Sequence, residues 1–309
     1  MRFGDERESS DWVDDGRGST GGLGGFGGGG GGLGCLLPLV ASRFGIGGAV
    51  ILVIGYFILS SIGGIGGGGG SPGLSPQSQV SSAQGGGSVD PTTRHFVLQV
   101  LASTEDTWTK LLQHDGIQYK PTKLHFYSEA DAKSACGAAQ SAMGPFYCPN
   151  DNSIYLDSEF FNELSQKFQA PGDFAEAYVI AHEVGHHVQD LMGTLDQAHS
   201  AQARASDTQG NHIQVGIELQ ADCYAGVWAA NARTPEGQPV MQQGDFEEGM
   251  RAAQAIGDDT LQRETQGTVV PDSFTHGTSA QRMNALRTGF QSGDPAACDI
   301  QKLESPTAG

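Results

Sequence analysis

The chain has 309 residues, enough for one large domain and an appendage. It carries 35 Asp and Glu against 17 Lys and Arg, a net charge of −18. That balance argues against nucleic acid, which needs a basic footprint, and offers no polybasic signal for anionic lipid. Composition divides the chain: residues 1 to about 92 are dominated by Gly with Ser and Pro, and the remainder is ordinary globular sequence.

Residues 1–45 read as a disordered, Gly-rich tail, because so little apolar surface cannot offset the cost of ordering. Residues 46–65 contain no charge and are long enough to span a bilayer as one transmembrane helix. Arg43 precedes the run and no Lys or Arg follows until Arg94, so the positive-inside rule predicts a cytoplasmic N-terminus and an extracytoplasmic domain in the cell membrane. A cleaved signal peptide fits less well, since the run starts late and no Ala-x-Ala site follows it. Cys35 precedes the apolar run instead of following it, which argues against a lipoprotein signal. Residues 66–92 read as a Gly/Ser/Pro linker.

Residues 93–300 form the predicted domain, and 301–309 a short tail. His95 to Gln113 repeats apolar residues at helical spacing. Lys123 to Tyr127 and Ser153 to Leu156 are strand candidates, separated by a turn-rich stretch from Gly144 to Asn152. Asp157 to Ala170 is a further helix. Four cysteines, Cys136, Cys148, Cys223 and Cys298, suit two disulfides in an extracytoplasmic domain. Proximity favours Cys136–Cys148, but three pairings remain open.

The densest chemistry lies in Tyr178 to Gln189, which contains His182-Glu183-Val184-Gly185-His186. On a helix His182 and His186 lie one turn apart on one face, where two imidazoles can bind one Zn²⁺ with Glu183 beside them as general base. Pro171-Gly172-Asp173 is a start signal for this helix, and Gly193 a stop. Downstream, in a helix from about Ile213 to Asn231, Glu218 and Asp222 share a face. A catalytic zinc site takes three protein ligands and leaves one position open. His182, His186 and Glu218 complete that set, and Asp222 is placed to orient a ligating imidazole. His125, His187, His199 and His212 lack this spacing and read as structural. Gly244 to Ile256 is another helix, followed by a loop with His276 and then Arg282.

His-Glu-Val-Gly-His-His-Val-Gln, Glu-Leu-Gln-Ala-Asp-Cys-Tyr-Ala-Gly-Val-Trp and Phe-Thr-His-Gly-Thr-Ser-Ala-Gln-Arg occur in this order. With the upstream Ala135 to Pro149 stretch, they resemble the neutral zinc metallopeptidase family of bacteria, over about residues 93–300. The His-Glu-x-x-His and Glu-x-x-x-Asp pair is similar to gluzincins. The resemblance implies an α+β, predominantly helical zincin-like domain with a small sheet. It also implies one Zn²⁺ per chain and a peptide or protein substrate that can add as a strand beside the strand before the active-site helix. His276 is then the candidate for supporting the oxyanion, with Arg282 either a weaker candidate or a salt bridge closing the C-terminal helix. The implied activity is that of a membrane-anchored zinc endopeptidase, in which Glu183 as general base deprotonates a zinc-activated water. The competing readings are a non-catalytic binding or scaffold protein with a structural zinc, closed by a fourth ligand such as Cys223 or His212, and a structural envelope protein in which the motif is coincidental.

Overall fold

The computed structural model describes residues 1–17, 89–128, 132–139, 144–157 and 159–304. They form an α+β body, mostly helical, with a small sheet on one side. The order is β1 (Trp12–Arg17), α1 (Pro91–His114), β2 (Lys123–Ser128), β3 (Ala132–Ser134), β4 (Gly137–Ala139), β5 (Phe146–Cys148), β6 (Ser153–Asp157), α2 (Phe160–Gln166), α3 (Asp173–Leu191), α4 (Thr194–Gln202), α5 (Asp207–Asn231), α6 (Asp245–Ala255), α7 (Asp258–Gln266), α8 (Ser279–Ser292) and α9 (Ile300–Glu304).

The main sheet runs β1-β2-β6-β5. The first three strands are parallel and β5 is antiparallel to β6. Leu124 and Phe126 of β2 and Ile154 and Leu156 of β6 alternate onto the face that packs on the helices. The strand Ser153 to Leu156, expected to offer an edge to an extended peptide, is instead an inner strand paired on both sides. Among the described residues, the free edge beside it belongs to β5.

Residues 1–17 correct the expectation of a disordered tail. Phe3 is buried and meets the Phe96 ring edge-on with centroids 5.8 Å apart. Ser9 N–H donates to Leu98 O at 3.0 Å, and Leu124 N–H donates to Asp11 O at 2.9 Å. Arg7 bridges Glu105 and Asp106 at 2.7 and 2.9 Å. Trp12 starts β1 and packs edge-on against Phe126. The charges of β1 are tolerated because it is an edge strand.

This packing also overturns the predicted single-pass localisation. Residues 1–17 pack with the described residues of 89–304 as one body, so one crossing between them cannot put the N-terminus in the cytoplasm and the domain outside. The predicted span 46–65 and most of the linker lie outside the described residues. Among the described residues no helix is long and apolar enough to cross a membrane.

Two disulfides close, Cys136–Cys148 and Cys223–Cys298. The first ties the β3–β4 hairpin to β5. The second ties α5 to the turn before α9 across 75 positions.

The helices cross closely where side chains vanish. A Cβ on Gly185 of α3 would stand 2.9 Å from Ala221 O of α5, and one on Gly289 of α8 would stand 1.9 Å from Cys223 O. Only glycine permits these approaches. They bring α3, α5 and α8 together around the motif residues.

Candidate metal centre

Helix α3 begins at Asp173 and ends at Leu191, as its start and stop signals predict, with Gly193 at φ +74°. Asp173 and Glu176 place negative charge in its first turn, and Glu248 of α6 accepts from Phe174 N–H at 3.1 Å. Helix α5 starts at Asp207, six residues before the expected point. There Ser206 and Gln209 form a capping box.

The crossing at Gly185 sets His182 and His186 against Glu218. The Glu218 Oε2 atom lies 3.1 Å from His182 Nε2 and 3.6 Å from His186 Nε2. The nearest nitrogen or oxygen donors of the three residues all fall within 4.8 Å of one another. Ligands around a tetrahedral zinc with bonds of about 2.0–2.1 Å stand roughly 3.3 Å apart. Two imidazoles and one carboxylate at this spacing fit such an ion. The other oxygen, Glu218 Oε1, accepts from Gln214 Nε2 at 2.9 Å, which leaves Oε2 turned to the imidazoles.

Asp222 lies where the sequence puts it. Its Oδ1 accepts from His182 Nδ1 at 2.8 Å and from the Tyr178 hydroxyl at 2.5 Å. Arg282 then grips the same carboxylate, Nε to Oδ2 at 2.8 Å and an Nη to Oδ1 at 2.9 Å. Arg282 is buried, and of its two expected roles the structure shows the salt bridge. Burial alone would raise the Asp222 pKa, but Arg282 and His182 outweigh it and hold it at about 2. Burial likewise opposes charge on His182, yet Asp222 and Glu218 lift its pKa to about 10. Glu218 sits well below the usual carboxylate range, since His186 and His276 overcome its desolvation.

Glu183 is buried beside the His182 and His186 imidazoles. Burial raises its pKa, opposed by His182 and His186 and by the backbone N–H of Tyr147 on β5. His276 lies in the loop before α8 with its side chain 36% exposed. Asp258 of α7 shapes that loop, its Oδ2 accepting from the N–H groups of Thr275, His276 and Gly277 at 2.7–3.0 Å. His276 Nδ1 lies 3.5 Å from Asp258 Oδ1. When protonated, it adds to the groups that hold the Glu218 carboxyl below the usual range.

The remaining histidines stand elsewhere. His125 stacks on Tyr155 and pairs with Asp15, 2.9 Å away. His187 Nε2 contacts Lys120 O at 2.6 Å. His212 lines a separate hollow of about 340 Å³ with Ile217 and Glu304. Sequence reasoning missed Tyr178, Gln189, Gln214 and Asp258. Tyr178 stands four residues before His182 and Gln189 three after His186, so helical spacing could have found both.

A His-Glu-x-x-His helix crossed by a helix bearing a third potential ligand defines a candidate mononuclear metal centre. A family profile described as “Putative neutral zinc metallopeptidase” matches residues 1–301, and the chain belongs to that family. The chain is 44% identical over 306 residues to “Uncharacterized protein YpfJ” of Escherichia coli (strain K12), covering 97% of this chain and 98% of that one. It is 38% identical over 234 residues to “Uncharacterized protein Rv2575” of Mycobacterium tuberculosis (strain H37Rv), covering 73% and 76%. “Uncharacterized protein Mb2605” of Mycobacterium bovis matches to the same extent. No solved structure matches.

Proposed function

We propose that this chain is a zinc endopeptidase that hydrolyses peptide bonds in an extended substrate. The carrying observation is the convergence of His182 Nε2, His186 Nε2 and Glu218 Oε2 with Glu183 buried beside them. His182, His186 and Glu218 would hold the ion, which when bound supplies Lewis acidity toward a water and the scissile carbonyl. Glu183 takes the proton from the attacking water and passes it to the leaving amine. Its burial supports this, because a carboxylate with a raised pKa exchanges protons more readily near neutrality. His276, held by the Asp258 loop, donates toward the oxygen on which negative charge develops. Asp222, Arg282 and Tyr178 keep the His182 ring in register.

Substrate would lie along the free edge of β5, whose Tyr147 N–H faces Glu183. The unit that acts is the body formed by residues 1–17 with 89–304. The structural-zinc reading loses a proposed fourth ligand, since Cys223 is bonded to Cys298. His212, the other, lines a different hollow.

The test incubates the full chain, zinc-loaded under oxidising conditions, with a diverse pool of unstructured peptides read by mass spectrometry. Wild type should cleave internal bonds and Glu183→Gln should not, with zinc bound in both. Equal activity in the two proteins, or none in either with zinc bound, would overturn the proposal.

A further inference from the structure

The two ligand imidazoles are oriented by different chemistry. His182 donates its Nδ1–H to a carboxylate. The Nδ1 of His186 meets an amide instead, 2.8 Å from Gln189 Oε1. An amide carries a donor end and an acceptor end, so by itself it cannot fix which nitrogen of the ring bears the proton.

The polarity is set further along. Gln189 Nε2 donates to Ile217 O at 2.8 Å and to Gln220 Oε1 at 3.0 Å. Gln220 Nε2 donates to Cys298 O at 2.8 Å. Backbone carbonyls only accept. Cys298 O therefore turns the Gln220 amino group toward itself and leaves the Gln220 oxygen facing Gln189. Ile217 O and that oxygen together demand the Gln189 amino group. The Gln189 oxygen is left for His186, whose Nδ1 must then carry the proton. Reversing either amide would set oxygen against oxygen at a buried position and leave both groups unsatisfied. Gln189 is fully buried and Gln220 nearly so, which keeps water from rescuing a reversed amide. The Cys223–Cys298 bond pins the far end of the chain to α5, the helix that also carries Glu218.

We propose that Gln189 is a positioning residue that keeps a proton on His186 Nδ1, so that Nε2, the nitrogen on the Glu218 side, is the one left to bind a metal, through an amide relay whose direction is dictated by the carbonyls of Ile217 and Cys298. The relay makes the site ready for a metal before one arrives. This rests on the zinc reading for its purpose, but the tautomer itself is a property of the metal-free chain.

The test uses the full chain in three variants. Gln189→Leu removes the acceptor. Gln189→Glu keeps an acceptor for His186 and loses both donor bonds to α5. Gln220→Leu removes only the clamp on Gln189. Long-range ¹⁵N–¹H imidazole spectra of the metal-free wild type should show His186 protonated at Nδ1, and Gln189→Leu should show a mixture. In chelator competition Gln189→Leu should bind zinc about 10–100-fold more weakly than wild type. Gln220→Leu should show a smaller loss, and Gln189→Glu should recover most of it. If Gln189 served only to tie α3 to α5, Gln189→Glu would be as weak as Gln189→Leu, which overturns the proposal. A wild-type His186 that carries no proton at Nδ1 also overturns it, as does unchanged affinity in Gln189→Leu. Should Gln189→Leu fail to fold, the wild-type spectrum and Gln220→Leu decide by the same criteria. The expected tautomer in a wild type that takes up no zinc would support the relay and sink the metallopeptidase reading.

Discussion

Arg282 and Asp222 form a two-point ion pair in the interior, 60 residues apart in sequence, with Asp222 fully buried and Arg282 only 3% exposed. The pair fastens α8 to α5, and Asp222 spends its remaining hydrogen bonds on His182 and Tyr178.

Removing the cation while keeping the anion should therefore be costly. Arg282→Leu leaves a buried carboxylate unmatched and is expected to destabilise the fold by about 3–5 kcal/mol. Asp222→Asn keeps the shape and should weaken zinc binding by about 10–100-fold, because His182 loses its charged acceptor. Thermal melts of the metal-free proteins and chelator competition separate the two effects.

The loop that carries His276 offers a kinetic test. His276→Ala should lower kcat by about 10²–10³-fold, the usual scale for losing one donor to an oxyanion, with a small change in KM. Zinc content should stay at one per chain. An unchanged kcat would remove His276 from the proposed chemistry.

The N-terminal residues should behave as part of the domain. Phe3→Ala empties a buried aromatic position and is expected to cost about 3 kcal/mol. Deleting Met1–Arg17 also strips β1 from the sheet and the hydrogen bonds to Leu98 and Leu124, so the deletion should melt well below Phe3→Ala. A fragment beginning near Val89 that is as stable as the full chain would contradict this packing.

Glu176 links stability to pH. Burial, together with Asp173 and Asp90, raises its pKa to about 7 from an ordinary value of 4.5. The folded state thus holds the proton more tightly than the unfolded chain. The resulting stability is full below about pH 4.5 and is lost as pH rises through 7. Glu176→Gln should raise the melting temperature at pH 8 and leave it nearly unchanged at pH 4.5. A gain of equal size at both values would point to a cause other than charge.

The Cys223–Cys298 bond closes a long loop, and Cys298→Ser should destabilise by ~4 kcal/mol on chain-entropy grounds. Denaturant unfolding of the oxidised wild type and the variant gives the difference.

Local pattern carried much of this protein. Glycine signals bounded α3, and helical spacing put His182 and His186 on one face and Glu218 and Asp222 on another. Those are short-range consequences of 3.6 residues per turn, and they sufficed to nominate the ligands. Cys136–Cys148, only 12 positions apart, was favoured for the same reason of proximity.

Other features depend on residues far apart in the chain. Residues 1–17 look like a solvated charged tail until β2, more than a hundred positions away, offers an edge to pair with. The same non-local pairing places Ser153–Asp157 inside the sheet and leaves the free edge to β5, whose three residues are too few for alternation to reveal. The N-terminus and the main domain share one body for this reason, so the single-pass arrangement inferred from charge flanking an apolar run does not hold. Which amide end faces His186 is likewise decided by two carbonyls brought in by packing. The sequence by itself determined which side chains are candidates to bind a metal, because that follows from helical periodicity and side-chain chemistry. Only the tertiary structure decided how those side chains are held and what covers them, because hydrogen-bond direction, burial and strand order arise from contacts between distant segments.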